Sequence, residues 1–176
     1  MEAMVRENAK FYGYTETSGQ SPVRIWYDAQ AREIRRDTHG LNGNKALVDT
    51  EYNTKGEVYR VSEPYFEGKS KTYAATYTYD NYGRNSKVVT PAGTTSYTYS
   101  GLTTTITAPT GTSKTTVNPA DWVVETETDG KKVNFTHYAS VQVKTATPQD
   151  GHAISIEYNL QGNRTKLTDP DAGIIT

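Results

Sequence analysis

Polar and apolar residues alternate along most of the chain. In 94–99, Thr95, Tyr97 and Tyr99 share one side of a period of two. In 153–158, Ile154, Ile156 and Tyr158 do the same. In 122–128, Trp122 and Val124 oppose Val123, Glu125 and Glu127. Alternation of this kind predicts half-buried strands. The run 131–138 slips out of phase: Val133 and Phe135 share a side and Tyr138 falls on the other. A β-bulge near His137 would repair the slip. No helical period of useful length follows the first residues. The pattern therefore predicts an all-β chain built as an antiparallel meander of repeated β-hairpins.

The punctuation repeats as well. Aligning the residue before each Asx-rich turn gives Tyr27, Tyr52, Tyr79, Tyr99, Val117, Tyr138 and Tyr158, at spacings of 25, 27, 20, 18, 21 and 20. A second series interleaves with the first, running from "GLNG" and "PYFEG" to "PQDG" and "DPDAG". Each repeat is thus two strands and two turns, about seven degenerate repeats in all. The residue choice follows from turn chemistry. Asx side chains accept a hydrogen bond from a backbone N–H two residues on, and Gly tolerates a positive φ. The expected turn-forming residues are Asp28, Asn53, Gly56, Asp80, Gly83, Asn118, Asp121, Asn159 and Gly162. Turns are expected at 80–83, 118–121, 129–130 and 159–162, with Asp129-Gly130 the sharpest hairpin signal.

Composition narrows the class. Only 34% of the 176 residues are hydrophobic, too few for a thick core sealed on all sides, yet Tyr (14) and Thr (28) are abundant. Those two types suit a pleated, half-buried surface and are unlike a disordered chain. The net charge of -1 gives no basic stripe for phosphates, so no nucleic-acid partner is expected. Cys is absent, which excludes disulfides and thiolate metal sites. No apolar run approaches a membrane span. Residues 1–13 read as a leader, appended or frayed, and 14–176 as the repeat array. Both ends look cut, as in a piece of a longer chain.

The repeat resembles the YD repeats of the RHS/YD-repeat family. "YDNYGR" (Tyr79 to Arg84) followed by "TPAG" carries the likeness, with "EYNLQGNRTKLTDPDAG", "IWYDAQAREIRRDTHG" and "TEYNTKGEVYRVSEPYFEG" in the same mould. It covers roughly residues 14 to 176. The pattern departs at Ala31, where Gly is usual, at Asn53 and Asn159 in place of Asp, and at Val117 in place of Tyr. The resemblance implies an arc of a single curved, twisted sheet. In the family such sheets wind into hollow shells that enclose toxin domains in bacterial RHS proteins and insecticidal toxin complexes, and they occur in teneurins. It also implies an extracellular or cell-surface bacterial setting and a carbohydrate-binding alternative. The family's "RYYDP"-like stretch and self-cleaving protease site have no counterpart; "TDPDAG" shares only Asp-Pro. Neither autoproteolysis nor a toxin domain is carried over.

Candidate chemistry is sparse. His39, His137 and His152 are not at metal-ligand spacing. Asp150, Asp169 and Asp171 supply too few oxygens for calcium in turns that already explain them. Glu125 and Glu127 could mimic a glycosidase pair, but Lys131 and Lys132 are within reach across the hairpin. The sequons at Asn134 and Asn163 matter only in a eukaryotic secretory pathway. Tyr77, Tyr79, Tyr97, Tyr99 and Trp122 are the candidate carbohydrate-contacting aromatics, set against packing within the sheet. The expectation is a non-enzymatic structural segment with no cofactor and no metal. Its partners would be further repeats, or other copies meeting at open sheet edges, with carbohydrate as the alternative.

Overall fold

The computed structural model describes residues 11–15, 21–40 and 43–176. Residues 1–10 of the expected leader lie outside them, and the first strand begins at Phe11. The described residues contain strands and turns and no helix. Every pairing among the described residues is antiparallel, and all but β4–β6 and β5–β7 join strands consecutive in the chain, so the architecture is the expected all-β meander. The chain divides into two compact units, 1–94 and 95–176.

The first unit holds β1 (Phe11–Thr15), β2 (Val23–Tyr27), β3 (Glu33–His39), β4 (Lys45–Tyr52), β5 (Val58–Ser62), β6 (Tyr65–Phe66), β7 (Tyr73–Tyr79) and β8 (Asn85–Thr90). Pairing follows chain order from β1 to β4. β4 then has two partners on one edge: β5 along Thr50–Tyr52 and β6 along Ala46–Leu47. β5 continues to β7, and β7 to β8. Among the described residues six are buried, Trp26, Asp28, Asp37, Leu47, Asp49 and Ser62, of which Leu47 and Ser62 are fully so. Trp26, Arg35 and Asp49 stand opposite one another across three strands, and Arg24, Asp37 and Leu47 form the next row. The most buried face of this unit is therefore largely charged. Alternation in "EIRRDTH" and "KALVDTEY" hides this, because acidic and basic residues there occupy inward positions that sequence reading assigns to solvent.

The second unit holds β9 (Gly93–Ser100), which begins two residues before the boundary, then β10 (Thr103–Ala108), β11 (Gly111–Val117), β12 (Val123–Thr128), β13 (Lys131–His137), β14 (Val143–Pro148), β15 (Ile154–Tyr158), β16 (Arg164–Asp169) and β17 (Gly173–Ile175). Each pairs with the next. No residue here is fully buried. Cross-strand registers place Tyr97, Ile106, Val133, Phe135, Ile154, Ile156 and Leu167 on one face. Thr103, Thr116, Glu125, Glu127, Lys114, Lys132, Thr136 and Thr145 occupy the other. Direct pairs stabilise that polar face. Thr103 and Thr116 meet at 3.0 Å and Thr136 and Thr145 at 2.6 Å, while Lys114 donates to Glu127 at 2.9 Å.

The tight turns follow the sequence. Asp129 and Gly130 have φ of 49° and 83°, the double positive φ of a type I′ hairpin.

Candidate functional site at the joints between repeats

Six turns, each preceded by a register shift, share one geometry, starting at Asp28, Asn53, Asp80, Asn118, Tyr138 and Asn159; the turn from Gly40 makes the same two bonds without the shift. In each, the first residue's N–H bonds the carbonyl four residues on, and the fourth residue's N–H returns to the first carbonyl. The fourth residue has positive φ: Ala31, Gly56, Gly83, Asp121, Val141 and Gly162. This is a type I turn closed by a left-handed residue. In five of the six an Asx Oδ1 accepts two further N–H bonds. Asp80 Oδ1 takes Tyr82 N at 2.8 Å and Arg84 N at 3.0 Å, and Asn118 Oδ1 takes Ala120 and Trp122, both at 3.0 Å. Asp28, Asn53 and Asn159 do likewise.

The structure departs from the sequence alignment at two positions. Tyr99 precedes a two-residue turn, Gly101-Leu102, with no shift of register. Tyr138 is itself the first turn residue, and His137 takes the place before it. The register shifts between Thr136 and His137, where the phase of the sequence calls for a bulge. An equivalent shift precedes all six turns.

These turns lean on one another. Pairing between successive repeats stops at the same place four times: Arg35↔Asp49, Arg60↔Thr76, Glu125↔Asn134 and Thr145↔Ser155. Each is seven residues after one turn starts and four before the next. Beyond it the two strands splay, and their backbone groups need other partners. Aromatic side chains close the splay. Tyr52 Oη donates to the Glu33 carbonyl at 2.9 Å, and Tyr79 Oη donates to the Val58 carbonyl at 2.8 Å. Trp122 meets His137 with ring centres 5.7 Å apart. Tyr138 Oη donates to the Ile156 carbonyl at 3.1 Å and packs edge-on against Tyr158. Sequence reading supplies the amphipathic ring before the turn but not its target, which is a carbonyl about 20 residues away.

The last turn residue also reaches forward. Arg32 Nη1 lies 2.9 Å from where a Cβ on Gly56 would sit, Glu57 Oε1 3.3 Å from that of Gly83, and Gln142 Nε2 2.9 Å from that of Gly162. Gly in these turns therefore answers a close approach as well as a positive φ.

Two joints hold cavities at equivalent positions. The first, about 670 Å³, is lined by Asp28, Arg32, Ile34 and Arg35 on one side and by Asp49, Thr50, Glu51 and Tyr52 on the other, with Trp26 and Lys71. The second, about 520 Å³, has Tyr138, Gln142, Lys144 and Thr145 facing Ser155, Ile156, Glu157 and Tyr158. The first is a charged network. Arg35 bonds Asp49 through both Nε and Nη2, the latter at 2.7 Å. Tyr65 Oη donates to Asp49 Oδ2 at 2.7 Å. Lys71 Nζ lies 3.2 Å from Asp49 Oδ2 and 2.8 Å from Glu51 Oε1. Glu51 also accepts from Arg60 Nε at 2.7 Å and Tyr73 Oη at 3.0 Å. Burial pushes the Asp49 carboxyl up, but the bonds from Arg35, Tyr65 and Lys71 outweigh it and hold it below its ordinary value. Glu51 is lowered in the same way, its burial outweighed by Lys71, Arg60 and Tyr73. Burial lowers Lys71, yet Glu51 and Asp49 raise it above its ordinary value. Burial and then Asp49 push Tyr65 up to about 12. No sequence signal marks this network, since its partners are 9 to 22 residues apart and meet only through the register.

The other candidates lie apart from the charged cavity. Tyr77 and Tyr79 belong to the first unit and Tyr97, Tyr99 and Trp122 to the second, and all five are half-buried. Lys132 lies 3.2 Å from Glu125 and 3.7 Å from Glu127. Asp169 Oδ1 accepts the N–H of Asp171 at 2.9 Å. His39 ends β3, His137 ends β13, and His152 lies in the link between β14 and β15. Among the described residues no His, Asp or Glu group is arranged to hold a metal, and no helix is long and apolar enough to cross a membrane.

No family model and no curated protein matches the chain. Solved structures do. A crystal structure of a TcdB2–TccC3–Cdc42 assembly matches with a TM-score of 0.67 at 13% identity, over 84% of this chain and 9% of that one. The Tc holotoxin pore of Photorhabdus luminescens, carrying a TccC3 mutation, matches with a TM-score of 0.65 at 14% identity, over 87% of this chain and 9% of that one. The chain thus spans about a tenth of each of those chains. Its fold is one that Tc toxin-complex chains also use, in agreement with the YD-repeat resemblance of its sequence.

Proposed function

We propose that the chain is a non-enzymatic wall segment of an RHS/YD-type protein, part of a β-sheet that encloses or displays a toxin or effector domain outside a bacterial cell. The repeated joint carries this reading. Four times the strands part at the same register position, and four times aromatic groups close the gap. A site selected for chemistry would appear once; a joint selected for assembly recurs. The fold likeness to toxin-complex chains supports the same reading. Further repeats of a parent chain are the natural partners, since a sheet of hairpins grows by adding strands of the same kind at an edge. The carbohydrate-binding alternative draws less support. Its five rings are half-buried, and among the described residues the exposed rings Tyr59, Phe66 and Tyr82 sit singly on different elements. The glycosidase alternative is weaker, because Lys114 and Lys132 already occupy Glu127 and Glu125. Recovering the flanking reading frame and digesting the whole product with protease tests the proposal. An enclosed domain should survive until the wall is cut. A flanking domain digested as fast as its isolated form would sink the idea.

A further inference from the structure

Two places frame each joint: the residue that closes its first turn and the residue before its second turn. In chain order the first place holds Arg32, Glu57, Trp122 and Gln142, and the second holds Tyr52, Tyr79, His137 and Tyr158. At the first joint the two form a cation–π pair, with the Arg32 guanidinium 4.3 Å from the Tyr52 ring centre. At the third joint the roles are exchanged. The large ring is Trp122 and the nitrogen-bearing group is His137, with ring centres 5.7 Å apart and tilted by 51°. We propose that the third joint is a proton-responsive seam, in which His137 takes up a proton in mild acid and then holds the Trp122 face as Arg32 permanently holds that of Tyr52.

The chemistry of the two places supports a seam. Histidine is the side chain that changes charge between about pH 5 and 8. Tryptophan is the best aromatic acceptor for a cation lying within about 6 Å of its ring centre. On the acid side the joint is held by a cation on a ring, and on the alkaline side by two neutral rings. The first, second and fourth joints are closed instead by the hydroxyls of Tyr52, Tyr79 and Tyr138 on backbone carbonyls. Tyrosine ordinarily titrates near pH 10, and burial raises Tyr52 and Tyr79 further. The charged groups on the elements around His137 are Asp121 in the turn before β12, Glu125 and Glu127 on β12, Lys131 and Lys132 on β13 and Lys144 on β14. Lys132 lies 3.2 Å from Glu125 and 3.7 Å from Glu127, and Lys144 Nζ stands 5.7 Å from the Tyr138 ring centre. Among the described residues the His137 ring makes no hydrogen bond or ion pair that competes with Trp122. It is half-buried, so protons reach it from solvent.

A double-mutant cycle on the full chain tests the seam. Trp122→Leu, His137→Leu and the double variant are unfolded in urea at about pH 5 and about pH 8, the two ends of the histidine range. Acid acts on the carboxylates of all four chains alike, so that effect cancels in the cycle. The coupling, read as a ratio of unfolding constants over 95–176, should be at least about threefold larger in acid. His137→Tyr restores the residue that the other joints carry there, and its coupling to Trp122 should be the same at both pH values. Equal coupling of Trp122 and His137 in acid and in base would overturn the proposal. Should a leucine variant fail to fold, amide exchange decides. Protection over β12 and β13, corrected for intrinsic exchange, should rise at least about threefold from base to acid in the native chain relative to His137→Tyr. Identical pH profiles for those two chains would equally sink the seam. The seam belongs to one joint and stands or falls independently of the wall reading.

Discussion

The two units use one repeat and hold it together differently. The first buries Trp26 and Leu47 together with three acids, Asp28, Asp37 and Asp49. The second buries nothing completely and relies on cross-strand rows of Thr, Lys and Glu over a half-buried apolar face. A removed partner therefore means different things in each. A buried charge left alone keeps its desolvation penalty, whereas an exposed one is rehydrated. Asp49→Ala should show this most strongly. Arg35, with a side chain 14% exposed, would lose its only bidentate partner. The expected loss is about 3–5 kcal/mol, the range for breaking a buried pair. Glu157→Gln in the second unit, which removes the charge of a side chain 56% exposed and paired with Lys166, should be mild by comparison. Denaturant unfolding with amide exchange read separately over 21–94 and 95–176 would compare them. Similar losses for both variants would erase the distinction.

Acid should sharpen it next. Asp49 and Glu51 are held below their ordinary values of 3.8 and 4.5, so the folded state binds fewer protons there than the unfolded chain. The stability they add is complete above those values and is lost as the pH falls through the lowered folded ones. Asp28 and Asp80 are lowered too, against Glu127 alone in the second unit. The alkaline side has the opposite sign. Tyr65, raised from 10.0 to about 12, adds stability that is complete below 10.0 and drains as the pH climbs toward 12. Each unit carries one tryptophan, Trp26 and Trp122. Single-tryptophan variants should show Trp26 responding to acid at a higher pH than Trp122. Coincident midpoints would mean that the units titrate as one.

What the sequence discloses follows the same divide. The Asx and Gly turns were legible because their chemistry is local: Asp80 shapes a turn with N–H groups two and four residues away. The meander was legible through period-two alternation. The charged face was not, because Asp37 and Asp49 read as outward positions until register sets them inward. Asp37 is 3% exposed and accepts from Trp26 Nε1 at 2.9 Å, a partner 11 residues earlier. Alignment on tyrosine puts Tyr138 one residue off, because a tyrosine marks the strand end at Tyr27, Tyr52, Tyr79 and Tyr158. His137 fills that place through its ring contact with Trp122. A repeat fixes positions, and the partner across the joint decides which side chain serves there.

Turn-on-turn contact gives a smaller effect. Gly56→Val meets two penalties. Its φ of 86° disfavours a β-branched residue, and a Cβ would sit 2.9 Å from Arg32 Nη1. Arg32 has little freedom to yield, being bonded to Asp28 at 2.7 Å and stacked 4.3 Å from the Tyr52 ring centre. The backbone term alone is about 1–2 kcal/mol. Gly130→Val isolates that term, since nothing lies within 4 Å of its Cβ position and its φ is 83°. The difference between the two denaturation midpoints measures how firmly successive turns lean on each other. A difference of zero would deny the contact any energetic weight.

The smallest expected change is a gain. Val141 occupies the left-handed position of its turn with φ 74°, where the other five turns have Gly, Ala or Asp. Its branched Cβ is the poorest fit of the six. The turn also lacks an Asx acceptor, because Tyr138 stands first. Val141 is 53% exposed, so its removal forfeits little packing. Val141→Gly should relieve strain of about 1–3 kcal/mol. The greater freedom of Gly in the unfolded chain takes back about 0.4–1 kcal/mol. The net expectation is a stabilisation of about 1 kcal/mol, read as later loss of Trp122 fluorescence in urea and slower amide exchange over β13 and β14. Val141→Ala should fall between, as Ala31 already serves the same place at φ 61°. A drop in stability with Val141→Gly would show that the branched side chain contributes a contact worth more than its strain.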